Sequence, residues 1–178
     1  MPNYREELLQ SDCAFDGRLL QVRVDTVRLP DGSEATREIV VHPGSVAAVP
    51  ILGRDVILVR QWRQPLGVVT LEIPAGTLGR GEDPEDCVAR ELQEEIGYSP
   101  GRLTKLFALA LAPGYSNEII RVYLAEDLKP SPAQQDPDER VSAERLPFNE
   151  AVGRCLAGEI PDAKTVAGLL AVAFLRSR

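Results

Sequence analysis

The segment from Asp83 to Gly97 carries its own start and stop signals, and it constrains the rest of the chain more than any other stretch. Asp83 is a good N-cap, Pro84 suits the first helical position, and Glu85 and Asp86 favour the positive start of a helix. Val88 and Leu92, with neighbouring Ala89 and Ile96, form an apolar stripe at helical spacing. Gly97 is placed to end the helix in a left-handed conformation. The pattern predicts a helix over 84–96 whose apolar stripe has to be buried against another layer.

The flanking segments read as strands. Residues 19–28 alternate, with Leu20, Val22 and Val24 on one face and Gln21, Arg23 and Asp25 on the other. Pro30-Asp31-Gly32-Ser33 signals a turn, and 37–42 reads as the return strand of a hairpin. After Pro43-Gly44, the apolar run 45–52 suits a buried strand, followed by strands at 56–61, 71–73, 103–111 and 119–125. Residues 129–138 carry Pro130, Pro132 and Pro137 and read as a loop, while 148–157 and 163–175 read as helices. The expected fold class is α+β: a mixed sheet sandwiched between helices in an α/β/α layering, with an N-terminal antiparallel hairpin. The 178 residues suit one domain, with strands in 1–43 preceding a core in 44–178.

Composition excludes several classes of function. The formal charge of -7 offers no basic excess for nucleic acid or an anionic membrane. No apolar run reaches the ~18 residues that a membrane helix needs. The N-terminus has no apolar core of a signal peptide, so a cytoplasmic location is expected. Cys13, Cys87 and Cys155 are odd in number and scattered, which argues against a disulfide framework or a zinc site and for buried structural thiols.

On the predicted helix, Glu91 and Glu95 sit at i and i+4 with Glu94 beside them. Like charges so placed destabilise an isolated helix, and a bound cation resolves the repulsion. Carboxylate oxygens are what Mg²⁺ prefers. Arg90 adds a guanidinium able to brace a carboxylate, and Glu82 in the preceding loop can fold back onto the same cluster. Helical spacing alone fits a solvated acidic face better than a metal site, because Glu is common on exposed helices. The complete pattern is more specific. Gly76, Glu82, Arg90, Glu91, Leu92, Glu94, Glu95 and Gly97 match G-x5-E-x7-R-E-U-x-E-E-x-G-U, where U is a bulky aliphatic residue. This pattern resembles the box of the Nudix hydrolases. Only Tyr98 departs from it, an aromatic at the last position.

The resemblance implies a Nudix fold and Mg²⁺-dependent, or Mn²⁺-dependent, hydrolysis of a pyrophosphate in a nucleoside diphosphate derivative. It implies Glu91, Glu94 and Glu95 as metal ligands, supported by Glu82, with the Ala75 carbonyl completing the site. In such chemistry the cation withdraws charge from the phosphates and acidifies the attacking water.

Three further segments resemble ADP-ribose pyrophosphatases: 37–46, 60–63 with 71–76, and 112–118. Pro113 stands fifteen residues after Tyr98, where that subfamily carries a proline. The resemblance implies ADP-ribose as substrate, cleaved to AMP and ribose 5-phosphate. It places Gln61 and Arg63 at the diphosphate or a ribose, Glu38 and Glu72 near the adenosine or terminal ribose, and Gly114 against the substrate through its backbone. Glu118 and Glu139 are both candidates for the general base, with Arg90 bracing the catalytic carboxylates. It also implies a homodimer whose N-terminal strands are exchanged between subunits. A sugar nucleotide, NADH or a dinucleotide is the alternative substrate, and the intact box disfavours a non-catalytic ADP-ribose sensor. The lone His42, before Pro-Gly, reads as a turn hydrogen-bonder.

Overall fold

The computed structural model describes residues 3–132 and 140–177, and two compact units emerge from its contacts. The first comprises the chain up to Gly44 together with Ala110–Ile119. It holds three antiparallel strands, β1 (Glu7–Asp16), β2 (Gln21–Arg28) and β3 (Glu34–Val41), in the order β1-β2-β3. The expected hairpin is β2–β3. Its register pairs Val24 with Glu38, and its turn closes through Gly32, whose φ of 88° suits glycine. The 110–119 segment is tied to β3, with the Val40 N–H donating to the Tyr115 carbonyl at 2.7 Å.

The second unit carries β4 (Ser45–Leu52), β5 (Asp55–Arg63), β6 (Val68–Glu72), β7 (Ala75–Thr77), α1 (Pro84–Ile96), β8 (Tyr98–Ser99), β9 (Arg102–Ala110), β10 (Ile119–Glu126), β11 (Lys129–Pro130), β12 (Val141–Pro147), α2 (Phe148–Leu156) and α3 (Ala163–Arg176). The main sheet runs β12-β5-β4-β10-β9, with β6 paired to β5 and β7 to β4. It is mixed, because β10 runs parallel to β4 while β5 and β7 run antiparallel to it.

The period-2 alternation of β4 sorts its side chains into two cores. Ala47, Val49 and Ile51 pack with Phe148, Ala151, Leu169 and Val172 of α2 and α3. Val46 and Ala48 pack with Cys87, Val88, Leu92 and Ile96 of α1. The sheet is therefore covered on both faces, as the sequence predicts. Gly168 lets α3 approach closely, since a Cβ there would lie 2.9 Å from Val49 Cγ2.

Several elements differ from the sequence reading. β1 has no predicted counterpart. Its register against β2 is interrupted between Leu8 and Gln10 and between Cys13 and Phe15, which destroys the alternation that marks a strand. The edge strand β12 was equally unmarked, because most of it is exposed. Lys129–Pro130 pairs with Tyr98–Ser99 inside the stretch expected to be loop. Cys87 and Cys155 are buried as expected, but Cys13 is exposed on β1.

Candidate functional site

The helix α1 is built as its signals predict. The Asp83 side chain accepts from the Glu85 N–H at 2.8 Å, and Gly97 ends the helix at φ 72°. One turn later in the chain than Arg90, Glu94 joins a carboxylate cluster centred on that guanidinium. Arg90 Nε donates to Glu82 Oε1 at 3.0 Å, and Nη1 donates to Glu91 Oε1 and Glu94 Oε2, both at 2.8 Å. Arg90 thus braces three carboxylates, more than the one its type suggests. Glu82 does fold back, and its other oxygen accepts from the Gly79 N–H at 2.7 Å.

These contacts leave their mark on the titration of the cluster. The Arg90 fork and the Gly79 N–H hold the Glu82 carboxyl down at about 2. Arg90 is raised above its ordinary value, with the Glu82 hydrogen bond the largest cause. Burial, reinforced by Glu82, pushes the Cys87 thiol beneath the cluster up to about 12, so this cysteine is an inert packing group.

Pro74 and the start of β7, Ala75 and Gly76, face α1 from the sheet side. The Ala75 N–H donates to Glu95 Oε2 at 3.0 Å, and the Pro74 carbonyl accepts from the Ala48 N–H at 3.0 Å. A Cβ at Gly76 would run into the Glu91 carboxylate. Glu91 and Glu95 are both buried, at 8% and 6% exposure. The structure therefore brings Ala75, Glu91, Glu94, Glu95 and Glu82 to one place. Among the described residues no three carboxylate, imidazole or thiol groups stand in a ready ligand geometry. Glu82, Glu91 and Glu94 are turned onto Arg90 instead. The donor set nevertheless fits a hard divalent cation: it is oxygen only, two of its carboxylates are buried, and the missing side chain at Gly76 lets one of them reach the β7 backbone.

A second cluster lies along the antiparallel pair β5–β6, beside the start of α3. Arg63 grips Glu72 with a two-pronged fork, Nε to Oε1 at 2.8 Å and Nη2 to Oε2 at 2.7 Å. Thr70 Oγ1 donates to Oε1 at 2.5 Å, and Lys164 Nζ donates to Oε2. Burial opposes ionisation of Glu72, but Arg63 and Lys164 outweigh it and bring the carboxyl down to about 2. Arg63 is raised in return, chiefly by its bond to Glu72. A cavity of about 510 Å³ is bordered by Arg63, Thr70, Glu72, Asp162 and Lys164. Gln61 is on β5, two residues before Arg63, with its backbone carbonyl 3.3 Å from Thr70 Oγ1. Sequence reasoning found Arg63 and Glu72 but missed Lys164, Asp162 and Thr70. The Asp-Ala-Lys-Thr start of α3 is a capping signal for Asp162, yet nothing local marks Lys164 as buried.

Of the remaining candidates, Glu38, Gly114 and Glu118 are in the first unit. Glu38 is exposed on β3, and Gly114 is exposed, with open space around its Cα. Glu118 has Oε1 3.7 Å from His42 Nδ1, while that nitrogen accepts from the Gly44 N–H at 3.1 Å. His42 is thus a turn hydrogen-bonder. Glu139 lies outside the described residues.

Comparison with known proteins agrees with this architecture. Residues 41–169 match the NUDIX domain, and residues 6–40 match the nucleoside diphosphate sugar hydrolase N-terminal domain. The chain is 39% identical to the methanol dehydrogenase activator of Bacillus methanolicus, over 97% of this chain and 94% of that protein. It is 38% identical to the ADP-ribose pyrophosphatase of Bacillus subtilis (strain 168), over 93% of this chain and 91% of that one. The crystal structure of an ADP compounds hydrolase superposes with a TM-score of 0.87 at 24% identity, covering 98% of this chain and 96% of its own, a likeness of fold. With the Gly76–Gly97 pattern on a loop and helix against a mixed sheet, and the domain match spanning most of its length, the chain belongs to the Nudix family.

Proposed function

We propose that the protein hydrolyses the pyrophosphate bond of a nucleoside diphosphate derivative with Mg²⁺ or Mn²⁺, and that its leading substrate is ADP-ribose, split to AMP and ribose 5-phosphate. The observation that carries this reading is the gathering of Glu91, Glu94 and Glu95 beside Ala75 and Gly76 at the start of β7. The ADP-ribose assignment draws on the name of the Bacillus subtilis relative.

In this reading Glu91, Glu94, Glu95 and the Ala75 carbonyl hold the cation, and Glu82 supports them through Arg90. The cation, when bound, neutralises phosphate charge and acidifies the attacking water. The chain's own contribution is position and charge. Arg63, anchored to Glu72 through Nε and Nη2, keeps Nη1 for a phosphate oxygen. Gln61, Glu38 and the Gly114 backbone contribute to nucleoside and ribose recognition. Glu118 or Glu139 takes up the proton of the attacking water.

The protein acts in the cytoplasm as a homodimer, with β1–β3 exchanged between subunits. Every residue of β1 is exposed in the single chain, including Leu8 and Phe15, which supports pairing with a second copy. No helix among the described residues is long and apolar enough to cross a membrane.

The match of residues 6–40 to a nucleoside diphosphate sugar hydrolase domain favours a second reading, a sugar nucleotide as substrate. Phosphate release from a nucleotide panel, coupled to a phosphatase with Mg²⁺ present, separates the two. ADP-ribose is expected to rank first. A rank far below nucleoside triphosphates overturns the assignment.

A further inference from the structure

Lys164 opens α3, and only 7% of it is exposed. A buried ammonium is costly unless it is paired and hydrogen-bonded. Lys164 meets both conditions, donating to Glu72 Oε2 and to Asp162 Oδ1, the latter at 2.9 Å. Oε2 of Glu72 is the same atom that accepts from Arg63 Nη2 at 2.7 Å. The lysine and the arginine therefore hold one carboxylate between them.

Asp162 is fixed in turn. It caps α3, accepting from the Thr165 N–H at 3.0 Å and from the Thr165 hydroxyl at 2.5 Å. The Thr165 oxygen then accepts from the Ile73 N–H at 2.8 Å. The first turn of α3 is thus stitched to the end of β6 at two adjacent residues, Glu72 through Lys164 and Ile73 through Thr165. Replacing a buried ion pair by apolar groups is often neutral for stability, so stability alone is a weak reason for this network. Its one outward-reaching member is Arg63, whose side chain is 39% exposed at the edge of the cavity.

We propose that Lys164 is a positioning residue that locks the Glu72 carboxylate, so that Glu72 holds the Arg63 guanidinium in a fixed plane facing the diphosphate of the substrate. The role given to Arg63 rests on the pyrophosphohydrolase reading above. The coupling from Lys164 to Arg63 rests on geometry alone, and the two are tested separately.

Lys164→Met keeps length and burial and removes the charge. The Nε–H resonance of Arg63 in a ¹⁵N-labelled sample, assigned by its loss in Arg63→Lys, reads the coupling without any turnover. It is expected to be sharp and slow to exchange in the wild type, and broad or fast-exchanging in Lys164→Met. An unchanged Arg63 signal overturns the proposal. In kinetics with ADP-ribose and Mg²⁺, KM is expected to rise about tenfold in Lys164→Met while kcat changes less than about threefold. Lys164→Arg, which keeps the charge, is expected to restore KM to within about twofold.

Because Lys164 acts through Arg63, adding Lys164→Met to Arg63→Ala is expected to change KM by less than about twofold. Effects that multiply in the double variant refute the coupling and leave a merely structural lysine. If Lys164→Met does not fold, Lys164→Gln carries the same readouts. If the wild type turns over no nucleoside diphosphate derivative, the proposed function fails, and the Arg63 resonance still decides whether Lys164 positions it.

Discussion

The Glu91 carboxylate occupies the space that any side chain at residue 76 would take. A Cβ built on Gly76 meets both Cδ and Oε1 of Glu91. Gly76 is not among the glycines with positive φ, so here the need is for room and not for a special backbone angle. Gly76→Ala is expected to expel the Glu91 side chain from its place beside β7 and lower kcat by at least about tenfold, an effect of order 1.4 kcal/mol or more. Gly153→Ala is the matched control. It lies within α2 with nothing close to the added methyl, and is expected to keep activity and gain about 0.5–1 kcal/mol of stability. Equal activity in both variants, measured with Mg²⁺, would remove the argument for the Gly76–Glu91 contact.

Glu95 combines a fold contact with a proposed ligand role, and one substitution separates them. Its Oε2 accepts from the Ala75 N–H at 3.0 Å, a bond that a glutamine carbonyl can still accept. Glu95→Gln is therefore expected to keep the thermal midpoint close to that of the wild type. Loss of the negative charge is expected to lower kcat by roughly 100-fold, because several kcal/mol of charge stabilisation depend on the cation it would hold. Near-normal turnover in this variant would refute the ligand role.

How much of this was legible beforehand follows from the range of each interaction. The helix Pro84–Ile96 was readable to the residue because its cap, its proline and its terminal glycine are all local. The β4 strand was readable because it is buried on both faces, so every position is apolar or small. The β1 strand was not, since two register shifts break its alternation and all its residues are exposed. In the site, Glu91, Glu94 and Glu95 were found by spacing within one helix. Lys164 was not, because the lysine meets its carboxylate across 92 residues of sequence. A residue type that is normally exposed gives no signal of such a tertiary pairing.

Glu72 gives the stability an acid dependence with a definite sign. Its carboxyl is held at about 2 in the folded protein, below the ordinary 4.5, despite a burial that by itself would raise it. A depressed carboxylate contributes stability that is fully present above its unfolded value, and that contribution is lost as pH falls from about 4.5 toward 2. Glu72→Gln removes the contribution and leaves Arg63 and Lys164 without their shared anion. The variant is expected to be less stable than the wild type at pH 7, with the gap narrowing below pH 4.5. Urea unfolding at a series of pH values checks this. A gap that stays constant from pH 7 to pH 2.5 would show that Glu72 does not supply the acid-labile stability.

The proposed homodimer predicts its own disruption. Leu8 and Phe15 on β1 are 55% and 56% exposed, an uncovered apolar surface on a ten-residue strand. Light scattering at micromolar concentration is expected to give the mass of a dimer. Charges placed on the strand by Leu8→Lys with Phe15→Lys are expected to shift it to monomer while the helical circular dichroism is retained. A monomeric wild type would remove the exchange of N-terminal strands from the account.

In the proposed reading, Arg90 and a divalent cation compete for the same carboxylates, and this sets the expected response to metal. In the absence of a cation the single guanidinium offsets part of the charge of Glu82, Glu91 and Glu94, through contacts of 2.8–3.0 Å. Arg90→Ala leaves three acidic groups facing one another, so the metal-free variant is expected to unfold at a lower temperature than the wild type. A ligand that binds only the folded state stabilises it by an amount that grows with the logarithm of its concentration once that exceeds Kd. Mg²⁺ is expected to raise the midpoint of both proteins, and to raise that of Arg90→Ala by more, because the cation then supplies positive charge that the arginine no longer does. Thermal scans with and without 10-fold steps of Mg²⁺, at constant ionic strength, measure the difference. If Mg²⁺ raises neither midpoint, these carboxylates do not take the cation. A smaller rise in the variant would mean that Arg90 helps to shape the site for the metal instead of competing with it.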